Sequence, residues 1–386
     1  MLEVADILRR YGDGYLEAYG QRMLPSHLRA FRDILRCRTP DMGGHVFACD
    51  HCDHQVFAYH SCRNRSCPKC HTRHTDAWVE ARRKELLPVP YFHVVFTVPD
   101  QWRPVIRQHQ EPLYGILMKA AARSLIKLAA DPHYVGGLVG ILAVLHTWTR
   151  TMVFHPHVHC LVPAGGVSDG ELPGDRRWIP ARTNYLVPVK ALSRVFRGMF
   201  VDMVKKAMPE LAIPSVKPKQ EWVVYAKPTV QGANAVLNYL GRYVHRIAIS
   251  NSRIVSINDG RVVFKYQKSG GTSWKTMSLT ANEFIRRFMQ HVLPMGVHKV
   301  RYYGLWAPGN RPLLRRVQIA LTAPICDKSA RESKSEPKPA DQSDQSSVPA
   351  LKQTTCPRCQ HGTLVYVGPV ARRPRAPPPS SAFTHA

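Results

Sequence analysis

Between residues 46 and 75 the chain is dense in Cys, His and Arg and poor in aliphatic side chains. A segment like this cannot bury enough apolar surface to hold a fold, so it needs a staple. The sequence supplies one. Cys49-x2-Cys52 is followed, after fourteen residues, by Cys67-x2-Cys70. Each Cys-x-x-Cys turns as a tight knuckle, and two knuckles complete a tetrahedral structural zinc site. The spacing therefore predicts Zn²⁺ on Cys49, Cys52, Cys67 and Cys70. Cys62 is a spare thiol that competes for the site, as do His60 and His71. Arg63 and Arg65 flank the second knuckle and are candidates for phosphate contact. Far downstream, Cys356-x2-Cys359 is half of another ribbon, with Cys326 or His361 as candidates to complete it. Cys37 and Cys160 read as ordinary buried thiols.

Charge bears on the partner. Lys and Arg number 54 against 27 Asp and Glu in 386 residues, a formal net charge of +27. A field of that sign favours a polyanion, above all nucleic acid. The longest apolar run, Leu138 to Leu145, is too short to cross a bilayer, so no membrane partner is expected. The N-terminus reads as an amphipathic helix, not a signal peptide, and clustered thiols suit a reducing compartment, hence the cytoplasm.

Four regions follow from patterning. Residues 1–45 read as helices, residues 46–88 as the zinc-binding DNA-binding domain, and residues 89–325 as a mixed α+β domain. Residues 326–386 read as a disordered tail with a candidate zinc half-site, because Asp327 to Ala350 is rich in Ser, Lys, Glu, Gln and Pro. Within 89–325, Tyr91–Pro99, Val139–Trp148 and His157–Pro163 read as strands, the last two as an antiparallel hairpin. Asn258-Asp259-Gly260 marks another hairpin, and Thr280-x-x-Glu283 a capping box.

The stretch FHPHVHCLVP, Phe154 to Pro163, carries His155, His157 and His159 at alternate positions. A strand turns all three to one face. That pattern suits the divalent-metal site of a DNA nickase, the nucleophile strand of a histidine-triad nucleotide hydrolase, or a metal hydrolase of barrel type. Downstream, Tyr239 and Tyr243 lie four apart on a predicted helix and so share a face. A tyrosine hydroxyl can attack a phosphodiester and keep the phosphate as a covalent ester. Arg242 and Arg246 form a second pair on that helix, and Arg286 and Arg287 a basic face on a later one; all four are candidate DNA contacts.

With SCRNRSCPKC, YFHVVFTVP, HPHVHCLVPAGG, YLGRYVHRIAIS and EFIRRFMQHVLPMGVHKVRYYGL in this order, the chain resembles the two-tyrosine rolling-circle insertion-sequence transposases, the HUH class. The resemblance runs from about residue 1 to 310. It implies an α+β HUH endonuclease fold: a five-stranded antiparallel sheet, the His-hydrophobic-His strand central, flanking helices, and a small helical and zinc-knuckle domain in front. It implies Mg²⁺ or Mn²⁺ on His157 and His159, and Tyr239 and Tyr243 as nucleophiles. The DNA would be single-stranded transposon ends and their target. The third metal ligand is left among His155, His93 and His146. A plasmid replication initiator or relaxase would share this chemistry, and a zinc-ribbon regulator with a dead site would bind DNA without nicking it.

Overall fold

The computed structural model describes residues 1–70, 78–170, 175–215, 222–229, 241, 247–267, 271–322 and 354–373. It divides into two compact units. One comprises Met1–Leu35 with Arg63–Thr322; the other comprises Arg36–Cys62 with Ala323–Ala386.

The larger unit is α+β with antiparallel sheets, as the sequence predicts. Two helices open the chain, α1 (Val4–Tyr19) and α2 (Pro25–Arg36). The smaller unit contributes β1 (Gly44–Cys49) and β2 (Gln55–Tyr59). Then follow β3 (Tyr91–Thr97), α3 (Trp102–Gln108), α4 (Gln110–Ala129), β4 (Gly140–Trp148) and β5 (Phe154–Pro163). After them come a short pair, β6 (Gly165–Val167) and β7 (Trp178–Pro180), then α5 (Val189–Ala207) and β8 (Val224–Pro228). A meander of β9 (Ile254–Asn258), β10 (Arg261–Gln267) and β11 (Trp274–Thr280) leads into α6 (Ala281–Met289). The unit closes with β12 (Val300–Gly304) and α7 (Arg311–Thr322).

Five of these strands form the main sheet in the order β12-β4-β5-β3-β8, every neighbour antiparallel. The histidine strand β5 is the middle one, and β4–β5 is the expected hairpin. Alternation decides the two faces. Val94 and Phe96 of β3, Ala143 and Leu145 of β4, and Val158, Cys160 and Val162 of β5 are buried in one core beneath α4 and α5. Leu113 and Leu117 of α4 and Phe196 and Phe200 of α5 fill it. The opposite face is divided along its length. At one end Tyr91, Leu142 and Leu161 pack with Trp306 and Leu313 into a second cluster. At the other end, where β5 begins and β4 finishes, the histidines stand.

The hairpin at Asn258 is present: β9 pairs with β10, with Asp259 (φ 49°) and Gly260 (φ 69°) both left-handed. That is the backbone a two-residue turn between right-twisted strands requires. Thr280 caps α6, its hydroxyl accepting the Glu283 amide at 3.3 Å.

The smaller unit departs from the sequence reading. The chain returns to it as β13 (Leu364–Val370), which pairs antiparallel with β1, giving a sheet of order β13-β1-β2. Residues 354–373 are therefore a structured half of this unit, where patterning had indicated a disordered tail with a lone half-site.

Candidate functional site

Register builds the histidine site. On β5, His155, His157 and His159 are partly buried on one face while Pro156, Val158 and Cys160 are buried on the other. His157 stands opposite His146 of β4, and His159 opposite Val144. Directly opposed residues on antiparallel strands share a face, so His146 joins the row. The ligand atoms of His146, His157 and His159 all lie within 4.8 Å of one another. Ring centroids are 4.5 Å apart for His146–His159 and 4.8 Å for His157–His159.

The two remaining candidates are committed elsewhere. His155 Nδ1 accepts from Arg103 Nη2 at 2.6 Å, and the same guanidinium pairs with Asp100. His93 of β3 lies parallel to His159, with Nε2 2.8 Å from His159 Nδ1. His157 Nδ1 donates to the His155 carbonyl at 2.6 Å. Such bonds fix tautomer and ring orientation, as partners of metal-bound imidazoles do. With Nδ1 engaged, Nε2 is the nitrogen that His157 and His159 each offer.

Burial pushes the pKa of His157 down to about 4, although its bond to the His155 carbonyl acts in the opposite sense. Burial likewise lowers His93 to about 4. These rings are neutral at pH 7, the form that coordinates metal. The donor set fits a divalent transition ion: three imidazoles suit Mn²⁺ better than Mg²⁺, which prefers oxygen.

Beyond His146, Trp148 stacks on its ring at 4.6 Å, and Lys299 Nζ sits 4.9 Å from the Trp148 centroid. Tyr239, Tyr243, Arg242 and Arg246 lie outside the described residues.

The cysteines are grouped differently from the sequence expectation. Cys49 and Cys52 do not share a site with Cys67 and Cys70. They meet Cys356 and Cys359, with Cys49 Sγ 3.6 Å from Cys359 Sγ and Cys52 Sγ 3.7 Å from Cys356 Sγ. A tetrahedron with Zn–S near 2.3 Å has edges of about 3.8 Å, so these four thiols are spaced for zinc. The two knuckles repeat one another. Amides of His51, Arg358 and Gly362 donate to the sulfurs of Cys49, Cys356 and Cys359 at 3.3–3.4 Å. Asp53 and Gln360, each just after the second cysteine, take matching left-handed angles of 54° and 59°. The Gly362 and His361 amides hold the Cys359 thiol down to about 6, favouring the thiolate a metal needs. A Cβ at Gly362 would collide with Cys49 Sγ.

Cys67 and Cys70 are in the larger unit and are not members of this set. The reason for the misassignment is local: Cys67 is the nearest downstream pair to Cys52, whereas Cys356 arrives only through β13.

The candidate DNA contacts also separate. Arg65 donates to the carbonyls of Leu293, Pro294 and Val297 at 2.5–3.0 Å, so it clamps the turn after α6 while the residue remains exposed. Arg286 and Arg287 both hold Glu283, at 2.6 Å each, and their guanidinium groups draw its carboxyl down to about 2. Arg63 is exposed and makes no ion pair among the described residues.

Comparison with known proteins decides what kind of molecule carries these sites. A "Putative transposase" family model matches residues 140–312, and a "Transposase zinc-binding domain" model matches residues 7–98. The chain is 39% identical to "Putative transposase y4qJ" of Sinorhizobium fredii, over 95% of this chain and 94% of that protein. The chain belongs to this transposase family. A transposase for the insertion sequence element IS801 from Pseudomonas savastanoi pv. phaseolicola is 27% identical, over 71% of this chain and 68% of that one. No solved structure matches. As a member of a transposase family, the chain is an enzyme acting on DNA, which sets aside the nucleotide-hydrolase and barrel-hydrolase readings of β5. The family's zinc-binding domain and the cluster of Cys49, Cys52, Cys356 and Cys359 support structural Zn²⁺. Among the described residues, no helix is long and apolar enough to cross a membrane.

Proposed function

We propose that this transposase nicks single-stranded DNA at the ends of its element and joins it to a target through 5′-phosphotyrosine intermediates, in rolling-circle fashion. The observation that carries the reading is the convergence of His146, His157 and His159 on the open half of a central antiparallel sheet. Those three residues would hold Mn²⁺ or Mg²⁺. The bound ion would supply Lewis-acid polarisation of the scissile phosphate.

The remaining chemistry belongs to the chain. Tyr239 or Tyr243 attacks phosphorus through its phenol oxygen, and the bond from phosphorus to the 3′ oxygen breaks. The phenol proton ends on the departing 3′-OH. One ester replaces another, so no nucleoside triphosphate is consumed. The second tyrosine repeats the exchange on the other strand. His93 and the His155 carbonyl position the two β5 imidazoles. Arg63, exposed and in no ion pair among the described residues, is the first candidate phosphate contact.

The test is denaturing electrophoresis of the protein with labelled single-stranded end DNA and Mn²⁺. A covalent adduct is expected, lost on chelation with EDTA and lost in the double variant Tyr239→Phe, Tyr243→Phe. An adduct that survives the double variant sinks the nucleophile assignment, and one that survives EDTA sinks the metal.

A further inference from the structure

A cavity of about 520 Å³ opens in the larger unit beside the histidine row. Its walls are mainly apolar and include Trp78, Trp148, Phe288 and Ile247, with Arg63 and Lys299 among the lining residues. Two connections tie it to the chemistry. Trp148 forms part of the wall and stacks on His146, one of the three convergent imidazoles. Ile247 lies four residues after Tyr243 along the chain. The cavity thus adjoins the candidate metal set on one side and the segment that leaves the candidate nucleophiles on the other.

A base that stays in a duplex stack cannot enter a cavity, but an unstacked base can. Single-stranded nucleic acid is bound by aromatic platforms for the bases and cations for the phosphates. Here Trp78 and Trp148 line the cavity, the Lys299 ammonium lies over the Trp148 ring, and Arg63 is a second lining cation. Enzymes that work on nucleic acid take bases out of the stack into pockets of this kind. We infer that this cavity receives one unstacked base of single-stranded DNA, next to the phosphate that the histidine row addresses. The inference rests on the single-strand reading above, and it gives that reading a specificity element: the base seated against Trp148 sets the register of the strand.

The test is fluorescence anisotropy with a labelled single-stranded thymidine 12-mer and with the same 12-mer made entirely of abasic sugars, in EDTA so that nicking does not intervene. Three proteins are compared: the full chain, Trp148→Ala, and Ile247→Trp, which fills the cavity from a partly exposed wall position. Thermal melting confirms that each variant is folded. Both variants are expected to bind the thymidine 12-mer about tenfold more weakly, the worth of about one stacked base. Both should bind the abasic strand as the full chain does, and Trp148→Phe should restore most of the loss. Equal affinity of the full chain for intact and abasic strands overturns the inference, and so does unchanged thymidine binding in both folded variants. The two readings fail separately. Base-dependent binding without any tyrosine adduct removes the nicking chemistry and keeps the pocket; adducts without base dependence remove the pocket alone.

Discussion

A histidine's role in this molecule follows from which of its nitrogens is already engaged. His157 spends Nδ1 on the His155 carbonyl and His159 shares Nδ1 with His93, while His155 accepts from Arg103. The three histidines of β5 are therefore not equivalent. His146→Ala and His157→Ala should each weaken Mn²⁺ binding by 10- to 100-fold or more, whereas His155→Ala should cost less, because its ring serves Arg103. Removing His93 tests the orienting bond, with an expected loss of roughly tenfold. Isothermal titration with Mn²⁺ ranks all four. Buried histidines elsewhere govern acid stability. Burial lowers His291 to about 3 and His27 to about 4, from an ordinary value near 6.5. The unfolded chain then binds protons that the fold refuses, so stability is whole above pH 6.5 and falls as pH drops towards 3 to 4. Urea midpoints at pH 7.5 and pH 5 should differ in that direction, and His291→Gln should shrink the difference.

At the scale of single elements, the strands were the most legible part of the sequence. Alternation in FHPHVHCLVP already assigns His157 and His159 to one face and Val158 and Cys160 to the other, and β5 carries that pattern. His146 was harder to single out, because Gly140–Trp148 is buried over nearly its whole length and reads as a plain apolar run. Only the register His146–His157 promotes it above His93 and His155. Arg65, Arg286 and Arg287 show the converse. A basic residue in sequence carries no mark of the carbonyl or carboxylate that will occupy it. Capping is local and was readable. Thr280→Ala should lower stability by about 1 kcal/mol through the lost N-cap bond, measured by denaturant unfolding. In the zinc ribbon, Gly362→Ala should lower zinc occupancy of the Cys49–Cys52–Cys356–Cys359 set, because the added methyl collides with Cys49 Sγ. Zinc quantification on the purified variant checks this.

For the molecule as a whole, distance along the chain explains the one large error of reading. Spacing rules join neighbours, and Cys67 was the nearest pair to Cys52; Cys356 lies 304 residues away from Cys52. Nothing local announces a closure of that length. A chain ending at Thr322 should therefore carry one zinc fewer than the full chain, while its larger unit, with its own core, still melts cooperatively. Elemental analysis and calorimetry on the two forms test both halves of that statement. The closing strand β13 also gives the ribbon a place in time. During synthesis Cys49 and Cys52 emerge early and wait for their partner thiols through the making of every strand of the five-stranded sheet. The ribbon closes only when Leu364–Val370 clears the ribosome, so a finished zinc knuckle reports that translation has passed β13.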